Sequence, residues 1–207
     1  KIARGDSLAA IARYMRATGK LNVDSPVEIL AAIEAYTKAV AARPDFGPAY
    51  ALRAEIRRLQ IEYCVEAGRP TDADLTRAVE DFRQAVVCTP DYYDAQLGLA
   101  WAQGRLRRRD EVDFDRSKAA YEEELSAITD VLNKVPDYAP AHWKRGATRY
   151  SFGGFKQGRG MDPEPDWKLA EVDLERALKI SPQYKEPILS LFALHQQSAN
   201  YVSGAPG

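Results

Sequence analysis

A proline, a polar residue and an aromatic recur in four copies at one spacing. The copies are Pro44-Asp45-Phe46, Pro90-Asp91-Tyr92, Pro136-Asp137-Tyr138 and Pro182-Gln183-Tyr184, each 46 residues from the next. Four copies at a constant interval are an internal repeat, and a repeat of this length points to stacked supersecondary units that bury their apolar faces on neighbours. The residues ahead of each triplet keep the same register. Ile29, Leu75, Tyr121 and Trp167 are equivalent, as are Tyr36, Phe82, Ile128 and Leu174. Ala39, Ala85, Val131 and Ala177 form a small-residue series, and Val40, Val86, Leu132 and Leu178 close the pattern. Within one copy the apolar positions 29, 32, 36, 39 and 40 make the stripe of an amphipathic helix, not the alternation of a strand.

Each proline ends its helix, because it disfavours helical dihedrals at the residue before it and its ring does not fit a helix interior. The aromatic that follows can fold back between helices, where burying a ring contributes about 1.5–3 kcal/mol. A second helix starts a few residues later, around Gly47, Asp94, Ala139 and Glu186. Ala49, Ala95, Ala141 and Pro187 are equivalent there, and the small residues let paired helices approach closely. Gly68 to Asp72, Arg109 to Asp115 and Gly153 to Asp166 read as the loops back to the next first helix. Ser25, Thr71, Asp72 and Asp166 are the candidate caps. This predicts nine helices, over 6–18, 26–42, 47–67, 72–88, 94–108, 114–134, 139–152, 167–180 and 185–202. The expectation is a single helical-repeat domain over 1–207, cut from a longer array or multidomain protein.

Charge narrows the function classes. The formal net charge is −1, whereas a nucleic-acid-binding domain carries a basic balance. The basic run at Arg105-Leu106-Arg107-Arg108-Arg109 is followed at once by Asp110 and Glu111 and reads as a solvated helix end. Glu122-Glu123-Glu124 reads as a solvated helix face. No apolar run approaches the length of a membrane span. Cys64 and Cys88 have no metal-ligand spacing and read as free thiols of a reducing, cytoplasmic compartment.

With the helix register in hand, Ala32-Tyr36-Ala39-Pro44 and Ala78-Phe82-Ala85-Pro90 match the second helix of the tetratricopeptide repeat (TPR). Ala170-Leu174-Ala177-Pro182 matches with leucine for the aromatic, and Glu124-Ile128-Val131-Pro136 keeps only the proline. The chain therefore resembles the TPR family over nearly its whole length, which implies an all-α solenoid of antiparallel helix pairs wound into a right-handed superhelix. The family repeat is about 34 residues, so roughly 12 residues are extra, placed after the first helix (A) of each pair. The A helices keep little of the family pattern. Its positions carry Tyr50, Arg53, Ala54 and Arg57, then Gln96, Leu99, Ala100 and Gln103, then His142, Arg145, Gly146 and Arg149. Ala49-Tyr50-Arg53-Ala54, Ala141-His142-Arg145-Gly146 and the loop Gly160-Met161-Asp162-Pro163 are also similar to the regulatory arrays that follow the catalytic domain in some bacterial serine/threonine protein kinases.

The resemblance implies a protein-interaction scaffold, not an enzyme, and no cofactor or metal. No kinase motif is present. His142 and His195 lie in no catalytic or metal motif, and Gly153 to Gly160 lacks the spacing of a phosphate loop. The implied partner is a protein or peptide, held by A-helix residues: Trp101, Trp143 and Tyr150 for apolar contact, and Arg105, Lys144 and Arg149 for carboxylates. The positions of the chaperone-binding clamp of some family members carry Ala51, Glu55, Gly98, Pro140 and Lys144, which argues against that role. Nucleic-acid binding and membrane insertion are not expected. An architectural spacer or self-association unit and a small-ligand sensor remain as alternatives.

Overall fold

The structure, a computed structural model, describes residues 26–66, 72–108 and 113–204. The described residues form eight helices: α1 (Pro26–Ala42), α2 (Gly47–Glu66), α3 (Asp72–Cys88), α4 (Tyr93–Arg107), α5 (Phe114–Lys134), α6 (Ala139–Gln157), α7 (Glu164–Ile180) and α8 (Lys185–Ser203). They contain no strand. The helix expected over 6–18 and the caps Ser25 and Thr71 lie outside the described residues.

The recurring triplet builds the same turn four times. The residue before each proline closes its helix: Arg43, Thr89, Val135 and Ser181 donate their backbone N–H to Ala39, Ala85, Val131 and Ala177, all at 2.9 Å. Each aromatic N–H then donates to that last carbonyl: Phe46 to Arg43, Tyr92 to Thr89, Tyr138 to Val135 and Tyr184 to Ser181, at 3.0–3.2 Å. The proline has no N–H to lose, so it costs this turn nothing. All four aromatic side chains are half-buried.

Contacts divide the chain into two units, Lys1–Val112 with α1–α4 and Asp113–Gly207 with α5–α8. In the first unit each helix packs on the next, and α2 also meets α4. Ile29, Ala32, Tyr36 and Ala39 of α1 pack with Ala49, Ile56 and Leu59 of α2. Leu75, Ala78, Phe82 and Ala85 of α3 pack between α2 and α4. Phe82 lies so close to Gly98 that a Cβ there would sit 2.3 Å from its ring. The small residue therefore sets the helix spacing.

In the second unit α6 is the hub, packed on α5, α7 and α8. It runs to Gln157, beyond the expected end at 152, so the glycine-rich stretch is helical as far as Gln157. The reason is packing. Phe152 and Phe155 are buried against Tyr121, with ring centroids 4.8 and 5.7 Å away, and Phe114 stacks on Phe155 at 5.7 Å. Only a continued helix brings both rings to that face. Gly153 admits Trp167, whose indole would lie 2.4 Å from an added Cβ. The helix expected from 167 starts at Glu164, so Asp166 is not its cap. Asp166 sits in the first turn and pairs with Lys156 at 2.6 Å.

Two charged positions also depart from expectation. Glu124 is buried and accepts a hydrogen bond from the Thr148 hydroxyl at 2.9 Å, so only Glu122 and Glu123 of the acidic run are solvated. Arg108, read as part of a solvated helix end, is buried, while Arg105 and Arg107 are exposed. Cys88 is a free thiol near the Pro44 carbonyl, and the Cys64 side chain lies outside the described residues.

Candidate functional site

Two faces of the A helices carry the polar chemistry. The first packs on the helix that follows, α3 or α7, which is the second helix (B) of the repeat pattern, where an aspartate meets two arginines. In the first unit Arg53 of α2 binds Asp81 of α3 with both ends of its fork, Nε to Oδ2 at 2.9 Å and Nη2 to Oδ1 at 2.6 Å. Arg57, one turn on, pairs with the same carboxylate and donates to the Arg77 carbonyl. Arg53 also donates to the Thr37 hydroxyl of α1 at 3.2 Å, and that hydroxyl donates to Ile33. The aspartate is 4 % exposed, so these donors stand in for the water its carboxylate lacks.

The second unit repeats this arrangement 92 residues later. Arg145 binds Asp173 through Nε and Nη2 at 2.9 and 2.7 Å. Arg149 reaches Asp173 at 2.5 Å and the Leu169 carbonyl at 3.3 Å. Arg145 lies 3.5 Å from the Thr129 hydroxyl, which donates to Leu125. At the intervening 46-residue positions stand Leu99, Gln103 and Ala127, which cannot build the same cage. In both cages burial pushes the outer arginine, Arg57 or Arg149, below its ordinary pKa, and the aspartate pulls it back up. The bidentate fork on a buried carboxylate makes this the strong class of ion pair.

His142 borders the second cage. Its Nε2 donates to the Pro136 carbonyl at 2.8 Å, and its buried Nδ1 lies 3.6 Å from Asp173 Oδ1 without a hydrogen bond. Gln96, its equivalent 46 residues earlier, donates to the matching Pro90 carbonyl. The shared role is to occupy the carbonyl of the turn proline. His195 is exposed and 2.7 Å from Glu171. No group of three or more metal-ligating side chains exists among the described residues.

The second face holds most of the sequence-derived candidates. On α4, Trp101 is half-buried against the first unit's core, with the Arg58 guanidinium 5.8 Å over its ring. Arg58 in turn pairs with Glu55 at 2.5 Å. Arg105, one turn beyond Trp101, is exposed. On α6, Trp143 is half-buried, with the Lys144 ammonium 5.0 Å from its ring centre. Its indole N–H donates to the Ser190 hydroxyl of α8 at 3.2 Å, and its ring meets Tyr184 edge-on. Two turns along α6, the Tyr150 hydroxyl donates to Gln197 at 2.5 Å. Burial holds this phenol above its ordinary pKa.

The structure thus groups Trp101 with Arg105 on α4, and Trp143, Lys144 and Tyr150 on α6. Arg149 is turned away from these, into the Asp173 cage. The sequence did not single out Arg58 or Glu55 as a pair, nor the two cages. The signal for the cages was present as an Arg-x-x-x-Arg pair, with an aspartate 24 residues after the second arginine, found at both 57/81 and 149/173.

No family model matches the chain, and no curated protein matches it as a relative. Among solved structures it is similar to TTC0263, a thermophilic TPR protein of Thermus thermophilus, at 23 % identity and a TM-score of 0.63. That match covers 94 % of this chain and 82 % of the other. A second similar structure, MamA, has 18 % identity and a TM-score of 0.46, covering 91 % and 85 %. The fold is of the all-α, TPR-like solenoid class, built of helix pairs. No described helix is long and apolar enough to cross a membrane.

Proposed function

We propose that this chain is a protein-interaction module that holds a peptide or a partner segment on its A-helix faces. The observation that carries this reading is the paired presentation of Trp101 under Arg58 and Trp143 under Lys144. A half-buried indole with a cation over it gives a partner a flat apolar contact already held in place, and the exposed Arg105, one turn beyond Trp101, offers a charge for a carboxylate. Such rigid aromatic and cationic anchors carry most of the energy of a protein interface. Arg105 and Tyr150 extend the two faces. Arg149 contributes by holding α6 on α7, with its guanidinium already committed to Asp173. The A-helix segments Ala49 to Ala54 and Ala141 to Gly146 are similar to the regulatory arrays that accompany some bacterial serine/threonine protein kinases, and we read the chain as such a regulatory region.

Selection of random peptides displayed on phage against the immobilised chain tests the reading. Enrichment of acidic, apolar peptides whose affinity falls at least about tenfold in Trp101→Ala or Trp143→Ala is the expected result. Selected peptides that bind both variants as well as the parent chain would sink it.

A further inference from the structure

Helix α8 carries an apolar face that no described residue of the second unit covers. Ile188, Leu189, Phe192 and Val202 of α8 are 48, 68, 69 and 76 % exposed. At 100° per residue they share one side of the helix with His195, Gln196 and Ala199. Ser190, Leu194 and Gln197 lie on the opposite side, where Ser190 and Gln197 bond to α6 and Leu194 packs into the core. Under the 46-residue shift this open side corresponds to residues of α6 that are covered. His195 and Phe192 align with Arg149 and Gly146, which face α7, and Leu189 and Gln196 align with Trp143 and Tyr150, which face α8.

The chemistry of this face differs from its earlier copies in two ways. The arginines that would demand an aspartate are replaced, Arg145 by Leu191 and Arg149 by His195. The small residue that lets a B helix sit close is replaced by Phe192. An added Cβ at Gly146 would already lie 2.8 Å from Leu174, and Ala54, the matching residue of α2, is fully buried. A phenyl ring there holds off a helix seated as α3 and α7 are. The face selects a different occupant, one with an apolar stripe, no acid at its centre and a small residue opposite Phe192.

The stripe itself meets this description when turned end for end. About a two-fold axis midway between His195 and Gln196, Phe192 faces Ala199 of a second copy, and Leu189 faces its Val202. The central layer is His195 against Gln196. No lysine, arginine, aspartate or glutamate lies between Pro187 and Ser203, so α8 itself contributes no like formal charges to an antiparallel pair. His195 is engaged by Glu171 of its own α7, the one acidic group shown to reach it. A two-fold interface needs such self-complementarity, with each patch serving as its own partner.

We infer that the exposed face of α8 is a homodimer interface, formed by antiparallel pairing of α8 with α8 of a second copy, Phe192 packing over Ala199. It goes beyond the interaction reading above and uses none of Trp101, Trp143 or Tyr150. One helix face falls below the roughly 1,600 Å² of a standard interface, so the dimer is weak and reversible.

Sedimentation velocity of the full 207-residue chain from about 10 μM to about 1 mM tests it, with circular dichroism melts to establish that each variant is folded. A monomer–dimer equilibrium is expected. Phe192→Ala leaves a gap and Ala199→Phe sets ring against ring, so each weakens the dimer about tenfold or more. The double variant F192A/A199F exchanges large and small across the axis and restores dimerisation. A chain that stays monomeric throughout, a dimer indifferent to Phe192→Ala, or a double variant no better than the singles would each overturn the inference. Peptide selection with dimer-deficient Phe192→Ala reads the interaction function separately.

Discussion

The α2–α3 pair of the first unit and the α6–α7 pair of the second are built alike where they meet and differently beside that contact. Both lock a buried aspartate between two arginines of the A helix, with a threonine hydroxyl near the inner arginine. The next positions diverge. Tyr50 against Arg53 becomes His142 against Asp173, Glu55 becomes Ala147, and Arg58 becomes Tyr150. The cage fixes how a B helix seats on an A helix, a requirement that recurs. The flanking residues are free of that requirement and can be adapted to a partner.

The largest test of this division removes each aspartate. Asp81→Ala and Asp173→Ala leave two guanidiniums at the same buried site without their carboxylate, and breaking such a pair costs about 3–5 kcal/mol. The two variants should lose similar stability if the cages are equivalent. Guanidinium unfolding separates them, because Trp101 reports the first unit while Trp143 and Trp167 report the second. A loss confined to one unit's aspartate would break the comparison. Asp173→Asn, which keeps the shape and an acceptor oxygen, should cost less than Asp173→Ala.

A smaller effect separates two neighbouring glycines of α6. Gly153→Ala places a methyl 2.4 Å from the Trp167 indole, while Gly154→Ala meets only the Gln197 amide nitrogen at 3.5 Å. Overpacking costs about 1–3 kcal/mol. Replacing an interior helical glycine where there is room gains up to about 1 kcal/mol. Thermal melts should therefore move in opposite directions for the two variants, down for the first and up for the second. If both rise, Trp167 has room to shift and Gly153 does not set the α6–α7 spacing.

These sites also show which parts of the molecule were legible in the sequence. The B helices were, because Ile29, Tyr36 and Ala39 and their later equivalents meet the same demand in every copy, and all twelve are buried. The turns were, because proline and aromatic leave few conformations open. The end of α6 was not, because Gly153 and Gly154 carry the composition of a loop and become helical only through Trp167 and the Phe152–Phe155 cluster, which are tertiary partners. The cages were hidden by family expectation, since Arg53, Arg57, Arg145 and Arg149 stand where the pattern asks for apolar or aromatic residues. A helix-periodic reading has no means of pairing an arginine with an aspartate 24 residues onward. The candidate contacts were half legible. Trp101, Trp143 and Tyr150 were visible as aromatics on A helices, but which neighbours hold them depends on how each helix is rotated.

The finest distinction between the units rests on Tyr150, whose equivalent in the first unit is Arg58. Tyr150→Phe removes the hydroxyl that donates to Gln197 and should cost about 0.5–1.5 kcal/mol in the second unit near neutral pH. The cost depends on pH with a definite sign. Burial raises this phenol's pKa in the folded state above its ordinary value of 10.0, so the folded chain holds the proton more tightly than the unfolded chain. The stabilisation is fully present below the unfolded pKa and is lost as pH rises through the folded one. Unfolding of the parent chain and of Tyr150→Phe, followed by Trp143 and Trp167 emission, should therefore differ most below about pH 10 and converge above it. The first unit has an arginine in that place, so Trp101 emission should show no such convergence. A difference between parent and variant that stays constant to alkaline pH would mean that the Tyr150 hydroxyl is solvated in the folded chain.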